Sequence, residues 1–232
     1  MKNFIILSPS KEMDWSSGTG RVSLSPTAKK IVHELRKMDK ASLATFFAIK
    51  DDLAEKLVDG YATIEENRAK AAMDTYTGLA FRQMDKNLLV RDFAGEHLVI
   101  LSALYGPLSP HDMIRPYRLD FTKPLKVEGE SLKSLQKKNF TAFFTGSRMF
   151  DLASGEFSSR IDKKQVGQWI NIDFYEGDKK APSATAKKLR GLLANHILRE
   201  ESFERKVFES FQAEGFSMSG EGDEEHLIFR KH

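Results

Sequence analysis

Three polar clusters each follow a short apolar run, and their residue types suit a ligand site. Lys11 and Asp14 follow 4–7. Ser102, Tyr105 and Gly106 follow 97–101. Ser154 and Glu156 follow 149–152. If these runs are parallel strands, the polar side chains meet at the carboxyl end of a sheet, where open α/β folds hold ligands. Lys11 can clamp an anion, or act as a base if buried, and Glu156 can move a proton. The bland alternatives are an exposed loop lysine and a glutamate capping the next helix.

The segment LSALYGPLSPHDMIRPYRLDF (101–121) has the densest chemistry. Tyr105-Gly106 sets a phenol beside a residue that tolerates a tight turn. Pro107, Pro110 and Pro116 stiffen the loop beyond that turn, which lowers the entropy lost on binding. Asp112, Arg115 and Arg118 are candidates to point inward. Arg118 has the fork geometry to grip a phosphate or carboxylate, or it pairs with Asp112 or Asp120 and fastens the loop.

Charge is uneven along a chain whose net charge is only +3. Six basic residues and no acid lie between Lys179 and Arg199, and four basic residues and no acid between Lys133 and Arg148. Lys187, Lys188 and Arg190 crowd the first half of a helix, where the dipole disfavours cations. Gly191 sits mid-helix at about 1 kcal/mol against alanine. Both make sense if an anion, or another backbone, comes close. Lys137 and Lys138 extend the basic surface. Such stripes fit a phosphate-bearing partner such as DNA, and equally fit solvated helix faces.

Other chemistries are excluded. There is no cysteine, hence no disulfide, thiolate nucleophile or Cys-ligated metal. The six histidines are scattered without ligand spacing, and no Walker loop, GxGxxG or GxSxG elbow occurs. We therefore expect no cofactor, no metal and no direct iron site. No apolar run approaches the ~18–20 residues of a membrane span, and the N-terminus lacks a signal pattern. The expectation is a cytoplasmic protein with no membrane partner.

The positioning elements emerge from periodicity and punctuation. Strands are expected at 4–7, 97–101, 149–152 and 166–174. Helices are expected from Pro26, across 41–61 with a break at Lys50-Asp51-Asp52, and at 65–74, 131–144, 182–199 and 203–213. Residues 216–229 read as a closing β-hairpin. Strands and helices interleave without repeat or linker. This gives one α/β domain over 1–232, with a mixed sheet and a C-terminal β-hairpin.

The chain resembles the YaaA family of bacterial peroxide-stress response proteins. The pieces that carry the resemblance are LSPSKEMD (7–14), YTGL (76–79), the 101–121 segment, LASGEF (152–157) and KKLRGLLA (187–194). They stand in the family's order across nearly the whole chain. The resemblance implies a cytoplasmic protein, induced by peroxide, that limits iron-driven damage. It also implies a DNA-binding, mixed α/β fold with a basic cleft and a helix-hairpin-helix around 43–58. Here two aspartates occupy the hairpin position where glycines let backbone approach phosphate, and their charge opposes it. This chain also departs from the family pattern at Ser10, at Glu12, in LASGEF for LASNEY, and at Asn195 for a basic residue. On this reading Lys11 and Glu156 are the candidate catalytic groups. Ser102, Tyr105, Gly106, Asp112, Arg118 and Ser154 are candidate ligand contacts. Lys187, Lys188, Arg190, Lys137 and Lys138 are candidate nucleic-acid contacts. The alternative to DNA binding is a metal-independent enzyme acting on a nucleobase, nucleotide or damaged nucleic-acid end.

Overall fold

The computed structural model describes residues 1–232. Nine strands make the main sheet: β1 (Asn3–Leu7), β2 (Leu98–Ser102), β3 (Gly106–Leu108), β4 (Arg148–Asp151), β5 (Gln168–Glu176), β6 (Lys179–Lys180), β7 (Gln212–Ala213), β8 (Phe216–Gly222) and β9 (His226–Lys231). The spatial order is β7-β8-β9-β5-β4-β1-β2-β3, with β6 paired to β5. The middle five, β9, β5, β4, β1 and β2, run parallel, and both edges are antiparallel. The expected α/β class with a mixed sheet and closing hairpin is what forms. The last strand adds a parallel pairing with β5 as well as its hairpin pairing with β8.

β1 lies in the middle because it can be buried on both faces. Phe4, Ile5, Ile6 and Leu7 are all buried, and an apolar run with no alternation suits a central parallel strand. It pairs with β2 on one side and β4 on the other. Three strand ends therefore lie side by side, and the residues after β1 and β4 share one edge of the sheet. The buried apolar residues form one continuous core from Phe4 to Phe229.

Five longer helices surround the sheet: α1 (Pro26–Arg36), α2 (Lys40–Phe47), α3 (Asp51–Ala62), α4 (Leu132–Phe144) and α5 (Ser183–Glu200). α1 begins as its sequence dictates. Ser25 accepts a hydrogen bond from the Ala28 N–H, and Pro26 fills the first turn. The expected break in 41–61 separates α2 from α3, with Ala48 in the left-handed region at φ 52. Asp51 and Asp52 open α3, where acids complement the helix dipole. They would meet a phosphate with like charge, so this helix pair does not itself point to a nucleic-acid contact.

Two expected helices form only in part. Over 65–74 only Ala72–Thr75 contributes a helical turn. The Gly18 N–H donates to Arg68 O, and Gly20 and Ala69 exchange backbone hydrogen bonds. Lys70–Ala71 then pairs with Met113–Ile114. Tertiary strand pairing overrides a weak helical preference there. Over 203–213 a helix spans only Arg205–Ser210, and the chain then enters β7.

α5 answers the question raised by Gly191. A Cβ built there would sit 2.8 Å from both Cα and the carbonyl carbon of Ala80, and closer still to the carbonyl oxygen. Another backbone, rather than an anion, explains this glycine. Asn195, one turn on, is buried, and its side-chain oxygen accepts the Asp85 N–H at 2.7 Å. Gly191→Ala should therefore destabilise the fold despite a helix-propensity gain of about 1 kcal/mol. Overpacking against backbone costs about 1–3 kcal/mol. A urea titration checks this: a lower midpoint at unchanged slope is expected.

Candidate functional site

The strand-end loops and α5 enclose a cleft of about 380 Å³. Four stretches of loop and one helix build it. The loop after β1 contributes Ser8 to Met13. Residues 78–81 form one wall, and 117–120 another. The chain after β4 contributes Leu152, Ser154, Glu156 and Phe157, while α5 contributes Lys187 and Arg190. Lys11, Arg118, Ser154, Glu156, Lys187 and Arg190 thus share a single cavity.

Polar contacts lock these loops together. Ser8 donates from its hydroxyl to Ser154 Oγ (3.1 Å) and accepts the Ser154 N–H (2.8 Å). Lys11 reaches Asp120 at 3.1 Å and ties the first loop to the third. Glu156 accepts the Phe121 N–H at 3.0 Å. Asp14 accepts from Lys70 at 2.5 Å, which with its bonds from Ser16 holds its carboxyl at about 2. Gly78 faces Ser10, and an added Cβ would lie 2.9 Å from the Ser10 Cβ.

The 101–121 segment acts mainly behind the cleft. Ser102 is fully buried, and its oxygen accepts the N–H groups of Leu104 (3.2 Å) and Tyr105 (2.9 Å). With those acceptor positions filled, its hydroxyl hydrogen goes to the Tyr117 phenol at 2.8 Å. Tyr117 lies 2.9 Å from the Tyr76 hydroxyl, and it is the member of this chain that lines the cleft. Burial pushes the Tyr117 phenol up to about 12, against its hydrogen bonds with Ser102 and Tyr76. Tyr105 donates to Arg115 O (3.0 Å) and accepts the Arg115 N–H (3.1 Å). Tyr61 does the same for Arg118, at 2.8 and 3.3 Å. Two phenols therefore clamp the backbone on either side of Pro116 and leave the Arg118 side chain free.

Several expected contacts stand away from the cleft. Ser102, Tyr105 and Gly106 lie behind its wall, with Gly106 at φ 88 against Asn139. Asp112 caps its own loop by accepting the Ser109 N–H at 2.8 Å. Arg118 pairs with neither Asp112 nor Asp120. Lys188 pairs with Glu214 (2.8 Å) and Lys138 with Glu130 (2.8 Å), and neither they nor Lys137 line the cavity. A helical step of about 100° separates Lys187 from Lys188, which is why one faces the cleft and the next does not.

Residue spacing did not single out Asp151, and it offered Asp120 only as a partner for Arg118 and not for Lys11. Asp120 is 3% exposed, and its carboxylate accepts from the Thr122 N–H (2.9 Å) and the Thr122 hydroxyl. The acid two residues before threonine was the available signal. Burial pushes Asp120 up, but the bonds from Thr122 and Lys11 outweigh it and hold the carboxyl below its usual value. Asp151 ends β4 and accepts the Ala153 N–H at 3.0 Å. Burial raises it to about 6, opposed by that bond, by Ser158 and by the charges of Lys163 and Arg190. Arg190 is itself lowered by burial, an effect softened by Asp151 and Asp173.

The fold and the cleft define an α/β protein with a cationic cavity at the carboxyl ends of parallel strands. No helix is long and apolar enough to cross a membrane, and no group of three or more His, Asp or Glu residues is arranged to hold a metal ion. The family model described as "Peroxide stress protein YaaA" matches residues 3–221, and the chain belongs to that family. It is similar to proteins called UPF0246 from Francisella philomiragia, from Francisella tularensis subsp. mediasiatica and from F. tularensis subsp. holarctica. Each is 27% identical over a 248-residue alignment covering 97% of this chain and 98% of the relative.

The two shifted carboxyls give opposite pH signatures. Asp120 lies below its unfolded value near 3.8, so its stabilisation is present above about pH 4 and lost as pH falls through the folded value. Asp151 lies above that value, so its ionised form costs stability above about pH 6, and the cost vanishes below about pH 4. Thermal unfolding across pH should show Asp120→Asn melting lower than wild type near neutrality and converging in acid. Asp151→Asn should melt a few degrees higher near about pH 8 and converge near about pH 4.

Proposed function

We propose that the cleft binds a phosphate group carried by a nucleotide or a nucleic-acid end, and that this is how this peroxide-stress protein engages DNA. One observation carries the reading. Four buried side-chain nitrogens lack a hydrogen-bond partner, and two of them, the Nε atoms of Arg118 and Arg190, belong to cleft residues. A buried guanidinium donor without a partner costs free energy that an anion would offset. Lys11 and Lys187 add cationic charge to the same cavity. A cavity of about 380 Å³ suits one phosphate-bearing unit better than the broad face of a duplex.

Peroxide stress and DNA connect through this reading. A protein that occupies phosphate-bearing ends or flexible sites would shield them where iron-driven damage falls, so any effect on iron is indirect. The enzyme alternative uses the same cavity, with Lys11 held by Asp120 and Glu156 held by the Phe121 N–H as the groups that could move a proton.

A fluorescence titration with a 5′-phosphorylated oligonucleotide tests the proposal. Each of Arg118→Ala and Arg190→Ala should weaken binding by roughly tenfold or more, the worth of a charge-assisted hydrogen bond. Binding should also fall as salt rises. Unchanged affinity in both variants, or larger losses from Lys137→Ala and Lys138→Ala, would move the interaction out of the cleft.

A further inference from the structure

The charges lining the cleft do not cancel one another. Of its carboxylates, Glu12 pairs with Arg82 and Asp120 pairs with Lys11. Glu156 forms no ion pair, and its side chain's hydrogen bond comes from the neutral Phe121 N–H. Among the cations, Arg118, Arg190 and Lys187 pair with no carboxylate. Three free cations and one free carboxylate therefore line the same cavity without touching. Unpaired opposite charges in a partly sheltered cavity leave their attraction unused, and a ligand that bridges them engages both sides. Such a ligand is anionic at one end and offers hydrogen-bond donors at the other.

The remaining lining narrows the class. Leu79, Phe81, Leu119 and Phe157 make apolar and aromatic wall, suited to the face of a planar ring. Glu156 is fixed by the Phe121 N–H, so its carboxylate presents acceptors only. Of the common bases, guanine alone sets two N–H groups side by side on its pairing edge. Adenine and cytosine place a ring-nitrogen acceptor beside the amino group, and uracil and thymine flank one N–H with two carbonyls. A carboxylate repels each of those acceptors.

We infer that the cleft takes a guanine nucleotide unit, its phosphate on Arg118 and Arg190 and its base edge on Glu156. This rests on the phosphate reading of the same cleft and adds the identity of the base. Phe121 positions the glutamate through its backbone, so the specificity is tied to the 101–121 segment. No covalent step is involved.

Calorimetric titration of the full chain with inorganic phosphate, GMP, AMP, CMP and UMP is the test. GMP should bind roughly tenfold tighter than the other three nucleotides, the worth of one well-placed base contact. Glu156→Gln should collapse that preference, because an amide N–H₂ opposes the guanine donors. The same variant should strengthen inorganic phosphate binding, because a negative charge leaves the cavity. Equal affinity for the four nucleotides, with phosphate still bound, overturns the guanine assignment and leaves the phosphate reading standing. A GMP preference that survives Glu156→Gln removes Glu156 as the base contact. No binding of phosphate or of any nucleotide overturns both readings. The nucleotide series on wild type decides the matter even if the glutamine variant fails to fold.

Discussion

The close approach of residues 78–80 to the Ser10 side chain on one side and the α5 backbone on the other is the constraint on which the cleft depends. Gly78 lies against Ser10, and Gly191 lies against Ala80, each with no room for a Cβ. These contacts fasten one short loop between the turn after β1 and the middle of α5. Because Arg190 is the residue before Gly191, the same contact fixes where its guanidinium can reach. A glycine that costs helix propensity is thus retained for packing, and the packing sets the electrostatics.

The second constraint is the buried phenol scaffold. Tyr61, Tyr76, Tyr105 and Tyr117 are all buried around the 101–121 segment, and their hydroxyls find partners within it or beside it. A buried hydroxyl without a partner would cost ~1–3 kcal/mol, so this arrangement holds only if the whole set is satisfied together. Its consequence is mechanical. The backbone from Arg115 to Arg118 is held by phenols, so the Arg118 side chain need not spend its donors on the fold. That separates support from recognition within one stretch of chain.

The sequence revealed the sheet better than the partners of its polar groups. The apolar runs at 4–7 and 97–101, and the Ser25-Pro26 helix start, announce elements through purely local physics. The gathering of Lys11, Ser154 and Glu156 also came from strand ends alone, since parallel neighbours put their carboxyl ends on one edge. Pairings between loops were not legible. Nothing near Lys11 in sequence names Asp120, far along the chain, as its partner. Ser102, Tyr105 and Gly106 carry the polar types of a site, yet they serve the wall behind it. Residue type cannot tell a hydroxyl that meets a ligand from one that meets a buried phenol. The helix expected over 65–74 failed for a related reason, since its backbone pairs with 18–20 and 113–114, which are remote in sequence.

Asp151 shows how the site's charge balance is tuned from outside the cleft. It ends β4 beside the segment that supplies Ser154 and Glu156, and its charge acts on Arg190 without a direct bond. Near neutral pH an ionised Asp151 offsets part of the cost of holding a partly buried guanidinium charge. It does so at a distance that leaves every Arg190 donor available. A direct Asp–Arg pair would stabilise the empty protein and compete with an anion. A remote carboxylate supports the charge and competes less, because Coulomb attraction falls with distance while a hydrogen bond demands contact. The arrangement around Arg190 is therefore that of a cation maintained for an incoming group, with glycine behind it, an acid out of reach and open cavity in front.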